Sequence, residues 1–166
     1  MKKLFAITAM ALTLGLSQPS SANAPNVYTL SPGLAFSSGW VGPSFNSVIG
    51  IAPVSGHEFY VGIDLSADLY FPGGFAMYLG LLPTAWYQYQ LPSHPIKLVG
   101  GIAIGPAIGM AAGSGLAVAG VGLEVLFRPG VIFNMGDGDE IGVDLKLGVL
   151  GSSFIFKPTV NFIRYW

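Results

Sequence analysis

Cysteine is absent from this 166-residue chain, and histidine occurs only twice, at His57 and His94. Without cysteine the protein has neither disulfides nor thiol chemistry. Charge is also scarce, because charged residues make up 9% of the chain against about 25% in a typical soluble domain. Apart from Lys2 and Lys3, basic residues are outnumbered by acidic ones. A nucleic-acid partner is therefore not expected, since phosphate binding needs a basic surface.

The N-terminal residues have the pattern of a Sec signal peptide. Lys2 and Lys3 precede a short apolar run, residues 4–16, which is followed by small and polar residues. We expect residues 1–22 to be removed by cleavage after Ala22. Cleavage after Ala24 is the alternative, although it would place Pro25 directly after the cut. Residues 23–166 then form one domain, and an exported chain this apolar suits a membrane better than water.

Apolar and polar residues alternate with a period of two over most of residues 23–166. The clearest segments are residues 58–71 and 140–150, which are long for soluble strands but fit tilted membrane-spanning ones. Clusters of Gly, Pro, Asn, Asp and Ser divide the chain into eight predicted strands: 27–38, 40–52, 58–71, 75–90, 96–110, 116–133, 139–151 and 153–166. Aromatic residues gather near the strand ends, as the girdles of a membrane barrel require. The sequence therefore predicts an all-β fold, an eight-stranded antiparallel up-and-down transmembrane β-barrel, because only a closed barrel leaves no unpaired strand edge in lipid.

Residues 98–127 also allow a helical interpretation, because a membrane helix needs about 20 apolar residues. Gly101, Gly105, Gly109 and Gly113 recur every four residues, the small-residue stripe of packed membrane helices. Pro106 would remove a backbone hydrogen bond from such a helix. Because four is an even number, the same glycines would line one face of a strand. A glycine-zipper helical membrane protein thus remains the third alternative.

The alternation over residues 23–166 and the C-terminal segment FIFKPTVNFIRYW resemble the small eight-stranded outer-membrane β-barrels of Gram-negative bacteria. This family includes outer-membrane protein X and the barrel domain of OmpA. The resemblance implies a monomer among the lipids of the bacterial outer membrane. It also implies that Val160, Phe162 and Trp166 form the C-terminal signal read by the barrel-assembly machinery. Arg164 departs from the pattern, because an aromatic residue is common at that position, and the predicted loops are shorter than those of the family.

Charged residues in the predicted strands fall on the face that would point into the barrel. Eight strands enclose an interior that side chains just fill, and the mixed signs predict a lumen closed by ion pairs. The residues concerned are Asp64, Asp68, Glu124, Arg128, Asp144, Lys146 and Lys157. We therefore expect a filled lumen and a non-enzymatic structural or interaction role in the cell envelope.

Prolines inside the predicted strands support a different function. Pro32, Pro43 and Pro158 fall at similar depth around the closing seam of the barrel, and proline cannot donate a hydrogen bond to a neighbouring strand. Resemblance to barrels of the PagP type implies that such a seam admits lipid laterally. The alternative function is thus a lipid-handling barrel that binds or passes an acyl chain.

No catalytic residue, cofactor or metal site is predicted. His57 and His94 are expected in turns at one end of the barrel, and Ser152 and Ser153 at the other, across about 30 Å of hydrocarbon. Residues 134–140 resemble part of a calcium loop but lack its later glutamate. Their Asp-Gly pair is also a preferred hairpin turn, and we favour the turn.

Overall fold

The computed structural model describes residues 26–53, 58–71, 75–113, 116–135 and 139–166. The predicted signal peptide and its cleavage site therefore lie outside the described residues. The described ranges form nine strand segments: β1 Asn26–Ser37, β2 Trp40–Ile51, β3 Phe59–Tyr70, β4 Phe75–Gln90, β5 Ile96–Gly113, β6 Leu116–Phe127, β7 Gly130–Asn134, β8 Asp139–Leu150 and β9 Ser153–Tyr165. No helix among these residues is long and apolar enough to cross a membrane.

The strands close into an antiparallel ring of eight. β1 pairs with both β2 and β9, which closes the sheet on itself. β6 and β7 both pair with β5 on one side and β8 on the other, so they form one strand interrupted at Arg128 and Pro129. The ring order is therefore β1, β2, β3, β4, β5, β6–β7, β8, β9. This confirms the predicted eight-stranded antiparallel barrel.

The stagger of the strands sets the width of the barrel. Following paired residues once around the ring from Gly120 of β6 returns to Gly130 of β7, roughly ten residues along the same strand. With eight strands, this stagger corresponds to a tilt of about 40° from the barrel axis. A barrel of these proportions has an interior that side chains fill.

The glycine-rich segment belongs to β5 and β6, so the helical alternative is wrong. Val99, Ala103 and Ala107 are buried, whereas Leu98, Ile102, Ile104 and Ile108 at alternating positions are 42–50% exposed. The four-residue spacing of the glycines is thus the even spacing of a strand's inner face. β5 also continues to Gly113, beyond the predicted end at residue 110.

Apolar side chains cover the outer wall of the barrel, and the core is its lumen. The outward positions of β1 and β9 illustrate the band, with Leu30, Leu34, Val160 and Phe162 all 42–49% exposed.

We call the end that holds Asn26 and Trp166 the terminal rim, and the opposite end the far rim. The backbones of Asn26 and Trp166 exchange hydrogen bonds of 3.0 and 3.1 Å.

Candidate functional site

The seven charged residues predicted for the lumen all lie inside it and are at most 5% exposed. The pleat of the strands directs them inward, because each alternates with apolar residues that face outward. Asp64 and Asp68 lie on β3, Asp144 and Lys146 on β8, and Lys157 on β9. Glu124 and Arg128 belong to the β6–β7 strand. We call these seven residues the lumen network.

One ion pair of the network spans the full width of the barrel. Lys146 Nζ donates to Asp64 Oδ2 over 2.7 Å, and both side chains are 1% exposed. β8 and β3 lie opposite each other in the ring of eight. The pair therefore crosses the lumen instead of running along its wall.

Lys157 joins three strands in a second cross-lumen contact. Its Nζ lies 2.6 Å from Asp68 Oδ2 and 2.5 Å from Glu124 Oε1. Hydroxyl groups accompany the carboxylates, since Ser44 donates to Asp68 over 2.6 Å and Ser66 contacts Glu124 at 3.4 Å. Charge-assisted bonds of this kind are stronger than neutral ones, so this cluster ties β3, β6 and β9 together.

Arg128 and Asp144 form the remaining pair, between neighbouring strands. Arg128 Nε donates to Asp144 Oδ2, and the Thr159 hydroxyl donates to the other oxygen of the same carboxylate. A cavity of about 10 Å³ lies beside them and is lined by Trp86, Asn161 and Thr29 among others. That volume corresponds to about one water molecule, so side chains fill this part of the lumen.

A further group near the terminal rim was missed by the sequence reasoning. Lys97 Nζ lies 2.9 Å from Glu140 Oε1 and 3.7 Å from Glu58 Oε2. The Tyr165 hydroxyl donates to Glu140 over 2.7 Å, and Lys97 lies 5.2 Å from the centre of the Tyr165 ring. Alternation places Lys97 on the inner face of β5, but only the closed ring shows that β8 and β9 bring its partners within reach.

Glycines make space for the large aromatic residues of the lumen. Trp86 stacks on Tyr60 with ring centres 5.3 Å apart, and a Cβ at Gly50 would meet the Trp86 ring at 2.4 Å. A Cβ at Gly109 would likewise meet the Tyr78 ring at 2.7 Å. The bare inner faces of β2 and β5 are thus occupied by rings from elsewhere in the barrel.

The three seam prolines lie around β1 and point outward. Leu34 of β1 pairs with Pro43 of β2, and Gly33 pairs with Thr159, next to Pro158. β1 pairs with β2 at every residue from 26 to 37. Towards β9, however, the described residues 31, 32, 34 and 35 have no paired residue, so hydrogen bonding across this seam is interrupted beside Pro32 and Pro158.

The residues considered for catalysis and metal binding do not come together. His94 lies exposed in the turn before β5, where its Nδ1 is 2.8 Å from the Pro92 carbonyl oxygen. At the far rim, Ser152 lies in the turn before β9 and Ser153 begins that strand, and His57 lies outside the described residues. Residues 136–138 of the calcium-like segment also lie outside them. Among the described residues there is no group of three or more metal-ligating side chains.

The three residues predicted to form a C-terminal signal share the outer face of the barrel wall. Val160, Phe162 and Trp166 are 42, 49 and 55% exposed, and Phe154 lies on the same face farther from the C-terminus. Arg164 also faces outward and lies 3.5 Å from Asp139, with 73% of its side chain exposed. The segment therefore presents a row of apolar side chains interrupted by one charge.

Comparison with known proteins identifies the fold but no sequence family. No protein-family model matches the chain, and no curated protein sequence matches it. Neisserial surface protein A (NspA) superposes with a TM-score of 0.71 and 10% identity over 89% of this chain and 100% of that one. The N-terminal β-barrel domain of Pseudomonas aeruginosa OprF gives 0.60 and 9%, over 85% and 99%. The outer-membrane enzyme PagL gives 0.52 and 14%, over 82% and 98%.

These likenesses establish that the chain has the fold of the small eight-stranded barrels of the bacterial outer membrane. At 9–14% identity they show the fold alone. Because one of these barrels is an enzyme, the shared fold is compatible with more than one function. Any function must be argued from this chain's own side chains.

Proposed function

We propose that the protein is a non-enzymatic barrel of the bacterial outer membrane, closed to solute flow, with a structural or interaction role in the cell envelope. The observation that carries this proposal is the Lys146–Asp64 pair, which crosses the whole lumen at 2.7 Å with both partners buried. The Lys157 cluster adds a second crossing. Ions that entered the lumen would have to separate these buried pairs.

The outer surface supports a location in a bilayer as a monomer. An apolar band covers the wall, and the closed ring satisfies the strand edges that hydrocarbon cannot solvate. Outer-membrane lipids are then the main partners. Val160, Phe162 and Trp166 face outward and would be accessible to the barrel-assembly machinery during insertion. The proposed function requires no cofactor.

The test combines thermal stability with conductance. Replacing Lys146 with Met and Asp144 with Asn breaks two contacts of the lumen network, and we expect a lower melting temperature with no stable pore in planar bilayers. Arg164→Met is the matched control, because its pair with Asp139 is exposed and such pairs contribute about 0–1 kcal/mol. A rise in conductance without loss of stability would show that the network is a gate and would overturn the proposal.

The positions of His94, Ser152 and Ser153 support a non-enzymatic barrel. His94 lies beyond the terminal rim and hydrogen-bonds locally, whereas Ser152 and Ser153 lie at the far rim. A nucleophile and its base need to approach within about 3 Å. An assay for lipid A or phospholipid hydrolysis by the refolded barrel is expected to show no activity above that of a boiled sample.

A second candidate function, lipid handling, is favoured by the interrupted β1–β9 seam. Four described residues of β1 lack partners in β9 beside Pro32 and Pro158, which lowers the number of bonds that lateral opening must break. Replacing Pro32 and Pro158 with Ala restores the amide hydrogens. Slower exchange of labelled acyl chains between vesicles, relative to the control Pro43→Ala in the fully paired β1–β2 ladder, would support this function. Unchanged exchange would exclude it.

A further inference from the structure

The outer wall of the barrel has a large apolar groove centred on β5 and the β6–β7 strand. Its volume is about 870 Å³, and its lining runs from Phe59 of β3 across β4, β5, β6–β7 and β8 to Phe154 of β9. The residues that define it are Tyr87, Gly100, Ile102, Phe127, Pro129 and Leu147. We call this depression the Gly100 groove.

The floor of the groove exists because an outward position has no side chain. Gly100 lies between the outward-facing Leu98 and Ile102, which are 44 and 42% exposed. A Cβ built at Gly100 would have no heavy atom within 4 Å. The glycine is paired with Tyr87 of β4, so a bulky ring stands directly beside the bare backbone.

Phe127 and Pro129 form the opposite wall of the groove at the interruption between β6 and β7. Phe127 is 65% exposed and Tyr87 50%, so both rings project from the barrel on either side of Gly100. Pro129 lacks an amide hydrogen, although its carbonyl oxygen still accepts a 2.9 Å bond from the Leu145 amide. The result is a trough whose walls are rings and whose floor is backbone.

The chemistry and position of the groove fit a hydrocarbon chain. Its lining is almost wholly apolar, and its volume is in the range of small-molecule sites, about 300–1,000 Å³. It is continuous with the apolar band that faces the bilayer, so acyl chains are the molecules that meet it. A chain lying in the trough contacts protein on several sides, whereas a chain against a flat wall contacts it on one, and dispersion attraction grows with the number of such contacts.

The glycine floor of the groove lies in the half of the wall nearer the terminal rim. Gly100 lies four residues from Ile96, where β5 begins at the terminal rim, and Tyr87 lies three residues from Gln90, where β4 ends. Tyr89, 50% exposed, lies between the groove and that rim. Aromatic side chains at this height mark the interface with lipid headgroups, so a lipid in the groove has its headgroup at the terminal rim.

We propose that the Gly100 groove holds one acyl chain of a phospholipid from the leaflet at the terminal rim, and that this lipid stays bound while its neighbours exchange. The proposal rests on the proposed location in the outer membrane. It is independent of the lumen network and of the proline seam. The groove is therefore a specific lipid-binding site on the outer wall.

Native mass spectrometry of the refolded barrel with phosphatidylethanolamine tests this site. Gly100→Leu places a side chain in the groove, and we expect at least a tenfold loss of the one-lipid complex that survives removal of detergent. Gly120→Leu is the control for a glycine-to-leucine change in a strand, because a Cβ at Gly120 also has no heavy atom within 4 Å, and Gly120 lies on the inner face of β6, outside the groove. Phe127→Ala, which removes a wall without adding bulk, is expected to lower retention as well.

Equal lipid retention by the wild type, Gly100→Leu and Gly120→Leu would overturn the proposal. A dimer that Gly100→Leu abolishes, with lipid retention unchanged, would also overturn it and would assign the groove to a second copy of the chain. Insertion into vesicles, followed by the gel shift of unboiled against boiled samples, is measured first on each variant. If the wild type does not insert or shows no gel shift, the proposed membrane barrel itself is contradicted. That result is distinct from loss of lipid retention, which concerns only the lipid site.

Discussion

Lys146 and Asp64 meet at 2.7 Å in the middle of the barrel although 82 residues separate them in the chain. Their strands, β8 and β3, are opposite each other in the ring. A slip of either strand by one residue would turn its charged side chain out towards lipid, where an ionised group is costly. The pair therefore fixes the register of two strands that share no hydrogen bonds.

A double-mutant cycle should show strong coupling between these two residues. Lys146→Met or Asp64→Asn alone leaves a buried charge without its partner, and we expect each to lower the free energy of unfolding by about 3–5 kcal/mol. The double variant should be more stable than the sum of the two losses predicts, by about 0.5–3 kcal/mol. Urea unfolding in lipid vesicles, followed by tryptophan fluorescence, measures all four proteins. Strict additivity would mean that the two residues act independently.

The backbone contacts of Gly148 predict a sharp difference between two glycine-to-alanine substitutions. An alanine Cβ at Gly148 would overlap the Val125 carbonyl oxygen on the neighbouring strand, whereas at Gly120 it would meet no heavy atom within 4 Å. We expect Gly148→Ala to abolish or strongly reduce folding and Gly120→Ala to fold as the wild type does. The measurement is the fraction of protein that migrates as the compact form on an unboiled gel. Normal folding of Gly148→Ala would show that β6 and β8 can separate locally without cost to the barrel.

The sequence predicts the fold and the inward face well because both depend on local patterns. Alternation in β3 and β8 places Asp64 and Asp144 on the face opposite the lipid-facing Leu65, Val143 and Leu145, and the glycines of β5 share an even spacing. Partner choice inside the lumen depends instead on the closed ring and its ten-residue stagger. For that reason neither the Lys146–Asp64 pair nor the Lys97–Glu140 pair could be assigned from the sequence.

Height along a strand does not by itself place an aromatic residue in the outer girdle. Tyr60 and Trp86 lie near strand ends, but alternation puts them on the inward face, and both are 4% exposed and stack on each other inside the lumen. The height of a residue along a strand and the face on which it lies are separate properties. Only the second decides whether a ring meets lipid or the core.

The Tyr165 hydroxyl should contribute to stability through its hydrogen bond to Glu140. It donates to Glu140 Oε2 over 2.7 Å and lies 3.0 Å from Gln88 Oε1. Tyr165→Phe removes a hydrogen bond to a buried carboxylate, and we expect a loss of about 1.5–3 kcal/mol in the free energy of unfolding. Tyr89→Phe is the control, because Tyr89 is 50% exposed on the outer wall, and it should change stability by less than about 0.5 kcal/mol. Equal effects of the two substitutions would show that the Glu140 contact does not stabilise the barrel.

The C-terminal aromatic residues should affect assembly more than stability. Phe162→Ala and Trp166→Ala keep the backbone bonds between Asn26 and Trp166 and remove only outward side chains. We expect slower insertion into the outer membrane of living cells, while the free energy of unfolding of the purified barrel changes by no more than about 1 kcal/mol. Phe154→Ala is the matched control, because Phe154 lies on the same face of the same strand and is 62% exposed, but far from the C-terminus. The measurement is a pulse-chase assay of how fast the heat-modifiable, folded form appears. An equal delay in Phe154→Ala would mean that any lipid-facing ring of β9 supports assembly and that the C-terminal position carries no signal.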